Sequence, residues 1–263
     1  LNQLTQIGRT HMVADVDGDG DVDIVHSFTK GFAYAEQRNG SFVVLKSYDN
    51  PFYQGLASRF EDSMLDCWTL VDFDGDGDLD LVKTTPVDRK DLLSLSIRKV
   101  LYYEQESNSS SNRSGQFHRR DGKDNPFWSV DLAALPHKKG LGDFCPHVAD
   151  IDQDGDLDLI LVYDTKALFL YYRQQNGSFQ LAAEDPFADI SITREDAIGK
   201  SGGLKVQFAD WNGDGMVDMV ASGNTRLQYF TQGICFAKSA CNQFGCDKKT
   251  GRCECPIGSN SSE

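Results

Sequence analysis

Apolar and polar positions alternate with period two in four short stretches, around Val22 and Ile24, Leu79 and Leu81, Leu157 and Leu159, and Val217 and Met219. That period predicts a strand with one covered face. A shorter apolar run lies just upstream of each, at 11–14, 68–71, 147–149 and 206–209. An aromatic strand follows each: Gly31-Phe32-Ala33-Tyr34, Val100-Leu101-Tyr102-Tyr103, Leu168-Phe169-Leu170-Tyr171-Tyr172 and Leu227-Gln228-Tyr229-Phe230. A polar hairpin and a fourth strand come next. Asn39-Gly40-Ser41-Phe42 and Asn176-Gly177-Ser178-Phe179 are near copies, and Asn-Gly between apolar runs is a strong hairpin signal. The second repeat has a longer hairpin across 107–117. Three repeats close with Asn50-Pro51-Phe52, Asn125-Pro126-Phe127 and Asp185-Pro186-Phe187, where proline cannot continue the ladder and turns the chain out of the sheet. The connections at 51–66, 127–144 and 187–204 leave room for short helices near 131–135 and 193–198.

Between the first two strands of each repeat lies an acidic loop. The copies are Asp15-Val16-Asp17-Gly18-Asp19-Gly20-Asp21-Val22-Asp23, Asp72-Phe73-Asp74-Gly75-Asp76-Gly77-Asp78-Leu79-Asp80, Asp150-Ile151-Asp152-Gln153-Asp154-Gly155-Asp156-Leu157-Asp158 and Asp210-Trp211-Asn212-Gly213-Asp214-Gly215-Met216-Val217-Asp218. Carboxylates this dense repel one another unless a hard cation lies among them. Ca²⁺, with six to eight oxygen ligands, suits such a loop better than the smaller, water-retaining Mg²⁺. Loop positions 1, 3, 5 and 9 carry Asp, or Asn once, in every copy and are the expected side-chain ligands, at four Ca²⁺ sites. Position 7 (Asp21, Asp78, Asp156) becomes Met216 in the last copy, so it is expected to ligate through its backbone carbonyl. Position 6 is always glycine, as a sharp turn requires. Position 2 is always apolar and is expected to point into the core. An EF-hand is excluded: it needs a glutamate at position 12 and flanking helices, whereas position 12 is His26, Lys83, Leu161 and Ala221. The competing reading is an acidic, solvated turn, and four copies in one register weigh against it.

In these loops the chain resembles the FG-GAP/VCBS calcium-loop repeats known from the β-propeller heads of integrin α chains and from many secreted proteins. The resemblance covers residues 1–233. It implies an all-β protein, a β-propeller with Ca²⁺ in the first hairpin of each blade. Each repeat is then one blade, since a bare sheet of this kind must stack on neighbours to bury both faces. The expected architecture is four blades of four antiparallel strands, at about 7–52, 66–127, 144–187 and 204–233. The fourth repeat stops at its third strand, and residues 1–6 are expected to supply the missing one.

The chain has 263 residues and a net charge of −14. Eighteen of its 40 acidic residues lie in the four loops, and the other 22 are outnumbered by 26 Lys and Arg. The acidity is therefore local to the loops, and no basic stripe or recognition helix suggests nucleic acid. No apolar run of about 18 residues predicts a membrane span. The chain opens at Leu1 with no signal peptide in view, the expectation for a mature or internal fragment. Seven cysteines point to an oxidising compartment, and hence to an extracellular, secreted or cell-surface setting.

Cys67 and Cys145 each precede the first Asp of their loop by five residues, on equivalent first strands. They are expected to form a disulfide between blades, the alternative being two buried free thiols. The tail at 234–263 resembles an incomplete EGF-like module through Cys235, Cys241, Cys246, Cys253 and Cys255. That resemblance implies Cys235–Cys246 and Cys241–Cys253, with Cys255 awaiting as its partner a sixth cysteine that the pattern places about nine residues further on. Sequence alone does not fix connectivity. A zinc site is disfavoured because the Cys-x2-Cys spacing is missing. N-glycosylation sequons occur at Asn39, Asn108, Asn112, Asn176 and Asn260. The first four fall in strand 3–4 hairpins.

No nucleophile elbow, zinc-protease motif or phosphate loop is present, and the five histidines are scattered. Paired aspartates could mimic a glycosidase dyad, but a carboxylate that holds Ca²⁺ stays ionised and is a poor proton donor. The expectation is a non-catalytic adhesion module that binds protein or glycan. Phe52, Tyr53, Phe127 and Trp128 are candidate contacts, with ordinary packing as the competing reading. The alternatives are a glycosylated subunit of an extracellular filament, whose partners are copies of itself, and a targeting domain of a secreted enzyme.

Overall fold

The computed structural model describes residues 11–28, 31–56, 67–86, 98–106, 116–132, 144–163, 168–183, 186–188, 190, 192, 204–223, 227–232, 246–247 and 252–253. It is all-β, with four propeller-type blades. The first blade runs β1 (His11–Ala14), β2 (Asp23–Phe28), β3 (Gly31–Arg38) and β4 (Ser41–Leu45), hydrogen-bonded in that order. The second is β5 (Cys67–Val71), β6 (Asp80–Pro86), β7 (Arg98–Glu106) and β8 (Gln116–Arg120). The third is β9 (Phe144–Ala149), β10 (Asp158–Tyr163), β11 (Leu168–Gln175) and β12 (Ser178–Leu181). The fourth has three strands among the described residues: β13 (Lys205–Ala209), β14 (Asp218–Ser222) and β15 (Leu227–Phe230). Residues 1–6, expected as its fourth strand, lie outside the described residues.

The register repeats. The last loop Asp opens the second strand of each blade, and in three of them it stands opposite the final residue of the first strand: Ala14 faces Asp23, Val71 faces Asp80 and Ala209 faces Asp218. The Asn-Gly hairpins turn with positive φ at both residues, 49° and 75° at Asn39-Gly40 and 50° and 72° at Asn176-Gly177. This is the turn whose twist matches the flanking strands. Both asparagines are exposed; the sequons at Asn108, Asn112 and Asn260 fall outside the described residues.

The chain divides into two compact units, Leu1–Pro146 and His147–Glu263. The core of the first gathers Val16, Val25, Phe32, Tyr34, Phe52, Trp68, Leu81 and Phe117. Phe52 stacks on Phe117 at 4.7 Å and leans on Phe32 at 5.0 Å. The Asn-Pro-Phe segments explain how such a ring gets there. Asn50 Nδ2 donates to the Phe32 carbonyl while its Oδ1 accepts from the Phe52 amide. Asn125 does the same with Val100 and Phe127. Proline opens a short helical turn in each case, at α1 (Pro51–Leu56) and at Pro126–Ser129, where its missing N–H costs nothing. These segments therefore plug the blade as well as leaving the sheet. Burying one such phenylalanine contributes about 1.5–3 kcal/mol. Also within the first unit, Cys67 of β5 and Cys145 of β9 are disulfide-bonded, with Cα atoms 4.7 Å apart. The core of the second unit is built alike, with Phe187 stacked on Phe169 at 5.0 Å.

In the tail, β16 (Cys246–Asp247) pairs with β17 (Arg252–Cys253), and Cys246 stands opposite Cys253. The disulfides expected of an EGF-like module, Cys235–Cys246 and Cys241–Cys253, involve residues and side chains outside those described, as does Cys255. Of the short helices expected in the connections, 133–135 and 193–198 also lie outside; 131–132 are not helical.

Candidate functional site: the four acidic loops

Each loop is organised from its two ends. The first Asp is a turn-former. Asp15 Oδ1 accepts from the amides of Gly18 and Asp19 and its Oδ2 from Gly20, at 2.9–3.2 Å. Asp210 repeats all three bonds, from Gly213, Asp214 and Gly215, while Asp72 accepts from the amides of Gly75 and Gly77 and Asp150 from those of Asp154 and Gly155. The position 6 glycines have φ of 92°, 95°, 93° and 84°, so the left-handed turn expected there is present four times. Position 4 is left-handed as well, and there Gln153 (φ 58°) replaces glycine in the third loop.

The last Asp is a buried hub. In the first blade Asp23 accepts from the Val16 amide at 3.1 Å, the Tyr34 hydroxyl at 2.7 Å and the Gln37 amide at 2.9 Å. Asp80 repeats this with Phe73, Tyr102 and Gln105, Asp158 with Ile151, Tyr171 and Gln174, and Asp218 with Trp211, Tyr229 and Gln232. Three donors leave one of about four carboxylate lone-pair positions open to the loop. The glutamine side chain serves a second purpose. Gln105 Nε2 donates to the Val16 carbonyl in the first loop, and Gln232 Nε2 to the Ile151 carbonyl in the third. Sequence reasoning missed this network, although its signal is plain: Tyr-x-x-Gln stands at 34–37, 102–105, 171–174 and 229–232.

The middle carboxylates converge. Asp15, Asp17 and Asp19 offer oxygens within 4.8 Å of one another, as do Asp72, Asp74 and Asp76, and Asp150, Asp152 and Asp158. In the fourth loop Asn212 replaces one acid, and its Nδ2 donates to Asp214 Oδ2 at 3.0 Å. At position 5, Asp19, Asp76, Asp154 and Asp214 each accept from the amide of position 7, that of Asp21, Asp78, Asp156 or Met216. Burial and neighbouring carboxylates act together on the pKa values. Asp17 is pushed up to about 6 by burial first, then by Asp23, Asp19 and Glu36. Burial likewise raises Asp80 and Asp158 to about 6, and Asp74, Asp78 and Asp152 upward. The donor set fits a hard cation: it is all oxygen, crowded and electrostatically strained. Asp17 Oδ1 and Asp152 Oδ1 are buried with no hydrogen-bond partner among the described residues. Buried acceptors without partners are costly, and a divalent ion would satisfy them.

Position 2 is buried at Val16 and Ile151 and half-buried at Phe73, which packs on Tyr102 and Phe127. Trp211 departs from the expectation and is 56% exposed. The ring that covers Phe73 comes from an Asn-Pro-Phe segment, and no such segment follows β15 among the described residues. The candidate contact aromatics also divide. Phe52 and Phe127 are core residues, whereas Tyr53 and Trp128 are exposed. Three histidines are strand residues in ring contacts: His11 pairs across the sheet with His26 (Nδ1 to Nδ1 2.6 Å), and His147 packs on Phe208.

Residues 150–221, which include the third and fourth loops, match the model of a family described as FG-GAP-like repeat. No curated protein matches the chain. Two solved structures are similar. One is a lectin of Agrocybe aegerita, studied for recognition of non-reducing terminal N-acetylglucosamine (TM-score 0.46, 17% identity, 84% of this chain and 49% of that one). The other is a rhamnogalacturonan lyase of Bacillus licheniformis (TM-score 0.35, 14% identity, 82% and 40%). The chain thus spans about half the length of the lectin.

Proposed function

We propose that this chain is a calcium-stabilised, non-catalytic binding module of an extracellular protein, with protein or glycan as its ligand. Calcium at the loops is supported by the crowded oxygens and by the buried, unpartnered Asp17 Oδ1 and Asp152 Oδ1. Asp15, Asp17, Asp19 and Asp23 would hold the ion in the first loop, and their counterparts in the others, with the seventh residue (Asp21, Asp78, Asp156, Met216) contributing its carbonyl. The ion would neutralise the loop and clamp the first two strands, so that binding and folding are linked. Loop carboxylates that hold a cation stay ionised, which argues against proton-transfer chemistry.

The binding reading rests most on exposed aromatic rings at equivalent connections of the first two blades. Tyr48 and Tyr53 meet edge to face at 5.8 Å, and Trp128 lies under the Lys123 ammonium at 5.9 Å. Tyr48 is 75% exposed and Trp128 53%. Exposed Tyr and Trp held on a rigid frame are the side chains that most often anchor a partner, and their rings also suit the apolar face of a sugar. An extracellular setting is supported by the Cys67–Cys145 disulfide, by the exposed hairpin sequons at Asn39 and Asn176, and by the millimolar calcium found outside cells. No helix among the described residues is long and apolar enough to cross a membrane.

The test has two parts. Thermal unfolding should shift upward with millimolar Ca²⁺ and downward with EDTA; identical curves would remove the calcium role. A glycan array and a surface-protein screen should then yield a ligand whose binding weakens at least ~tenfold in Tyr53→Ala or Trp128→Ala. A ligand indifferent to both variants would refute the aromatic site.

A further inference from the structure

The residue two places after the hub tyrosine differs between blades. It is Glu36 in the first, Glu104 in the second, Arg173 in the third and Thr231 in the fourth. The register makes the first three equivalent: Glu36 stands opposite Val43, Glu104 opposite His118 and Arg173 opposite Gln180, each on the outermost strand. Glu36 and Glu104 add negative charge beside Asp17 and Asp74. Their partners are Arg38 and Arg120, which bind the glutamates. In the third blade the guanidinium lies on the loop itself. Arg173 Nη2 donates to Asp154 Oδ2 at 2.7 Å, and its Nε is ion-paired with Asp152 Oδ2.

We propose that Arg173 is a built-in counter-cation of the third loop, which competes with calcium for Asp152 and Asp154 and makes this the last site to fill. The proposal rests on the calcium reading of the loops. The pair is partly shielded, with side chains 26% (Arg173), 16% (Asp152) and 31% (Asp154) exposed, so it is worth more than a solvated surface bridge. A guanidinium does not shed its proton, so only displacement frees the two carboxylates. Calcium must also overcome repulsion from a positive charge held within a few ångströms. The displaced side chain has room: Arg173 lines a cavity of about 360 Å³ with Gln175, Gln180 and Leu181. By acid count the third loop equals the first two and exceeds the fourth. The third strand of its own blade reverses that ranking.

Calcium titration of the full chain by calorimetry, with wild type and Arg173→Gln, tests this. The wild type should bind three ions more tightly and a fourth at least ~tenfold more weakly, and Arg173→Gln should strengthen the weak step by a similar factor. Site-by-site occupancy in wild-type crystals grown over a range of calcium concentrations gives a second measure that needs no variant; the third loop should fill last. Four equal sites, a weak step unchanged in Arg173→Gln, or a third loop filled ahead of the others would each overturn the proposal. No binding at any loop would overturn the calcium reading and this proposal with it.

Discussion

The side-chain amide of Gln105, on the third strand of the second blade, donates at 3.1 Å to the carbonyl of Val16, the second residue of the first blade's acidic loop. Both residues are buried, and 89 residues of chain separate them. The contact joins a blade to the loop of the one before it. Gln105→Leu keeps the volume and leaves the Val16 carbonyl buried without this donor. The expected cost is about 1–3 kcal/mol in a denaturant melt. Gln37→Leu is the control: among the described residues it is the backbone amide of Gln37 that bonds, to Asp23, and the substitution keeps it. Equal losses in the two variants would show that the inter-blade contact contributes nothing of its own.

Mild acid should stabilise the metal-free protein, and calcium should counter that dependence. Asp17, Asp80 and Asp158 are raised to about 6, by burial before any other cause. Unfolded aspartates ionise near pH ~4, so between there and pH 6 the folded chain holds protons that the unfolded chain has shed. The stability these groups contribute is complete below the unfolded value and is lost as pH rises through about 6. Glu104, held down by Arg120, and Asp210, held down by the Gly215 amide first, lose their contributions only below this window. In EDTA the melting temperature should therefore fall as pH rises across that window. Added calcium should offset the fall, because the ion competes with the same protons. A metal-free melting temperature that climbs with pH there would contradict this.

Gly155 carries φ of 93°, and a Cβ built on it meets nothing within 4 Å. Gly155→Ala is thus a test of backbone conformation free of steric clash. The left-handed penalty predicts a loss of about 1–2 kcal/mol, read by chemical denaturation. Gln153→Gly relieves the same kind of strain two residues earlier, so its loss should be smaller or its effect stabilising. A neutral Gly155→Ala would mean that the loop adopts another turn in solution.

The Cys67–Cys145 disulfide closes a loop of 78 residues. Replacing both cysteines with serine should cost roughly 2–5 kcal/mol, chiefly by freeing the unfolded chain. Melting under reducing and non-reducing conditions measures it. Wild type and variant that melt together without reductant would argue against the bond.

Much of this was legible in the sequence because each repeat encodes the same local chemistry. Strand periodicity, Asn-Gly hairpins and the glycine at loop position 6 act over a few residues, so four copies reinforce one reading. The exposed Trp211 was not legible. Position 2 is apolar in every loop, and whether it is covered depends on a phenylalanine delivered from a segment some fifty residues later, as Phe127 covers Phe73. The Arg173 ion pair was hidden for a similar reason: it takes strand register to bring that side chain to Asp152 and Asp154. The Tyr-x-x-Gln spacing was there to be read, but nothing in the aromatic strand by itself marks that tyrosine and glutamine as partners of a residue in the acidic loop. In fact its tyrosine hydroxyls and glutamine amides hold the last Asp of each loop.

Trp211 has one more use. Its indole sits in the chain between Asp210 and Asn212, two candidate ligands of the fourth loop, and faces solvent. A luminescent lanthanide seated there would be excited through that ring by light at the red edge of indole absorption, which tyrosine does not absorb. The fourth loop therefore carries an optical antenna at its second position, where the other three loops have Val16, Phe73 and Ile151.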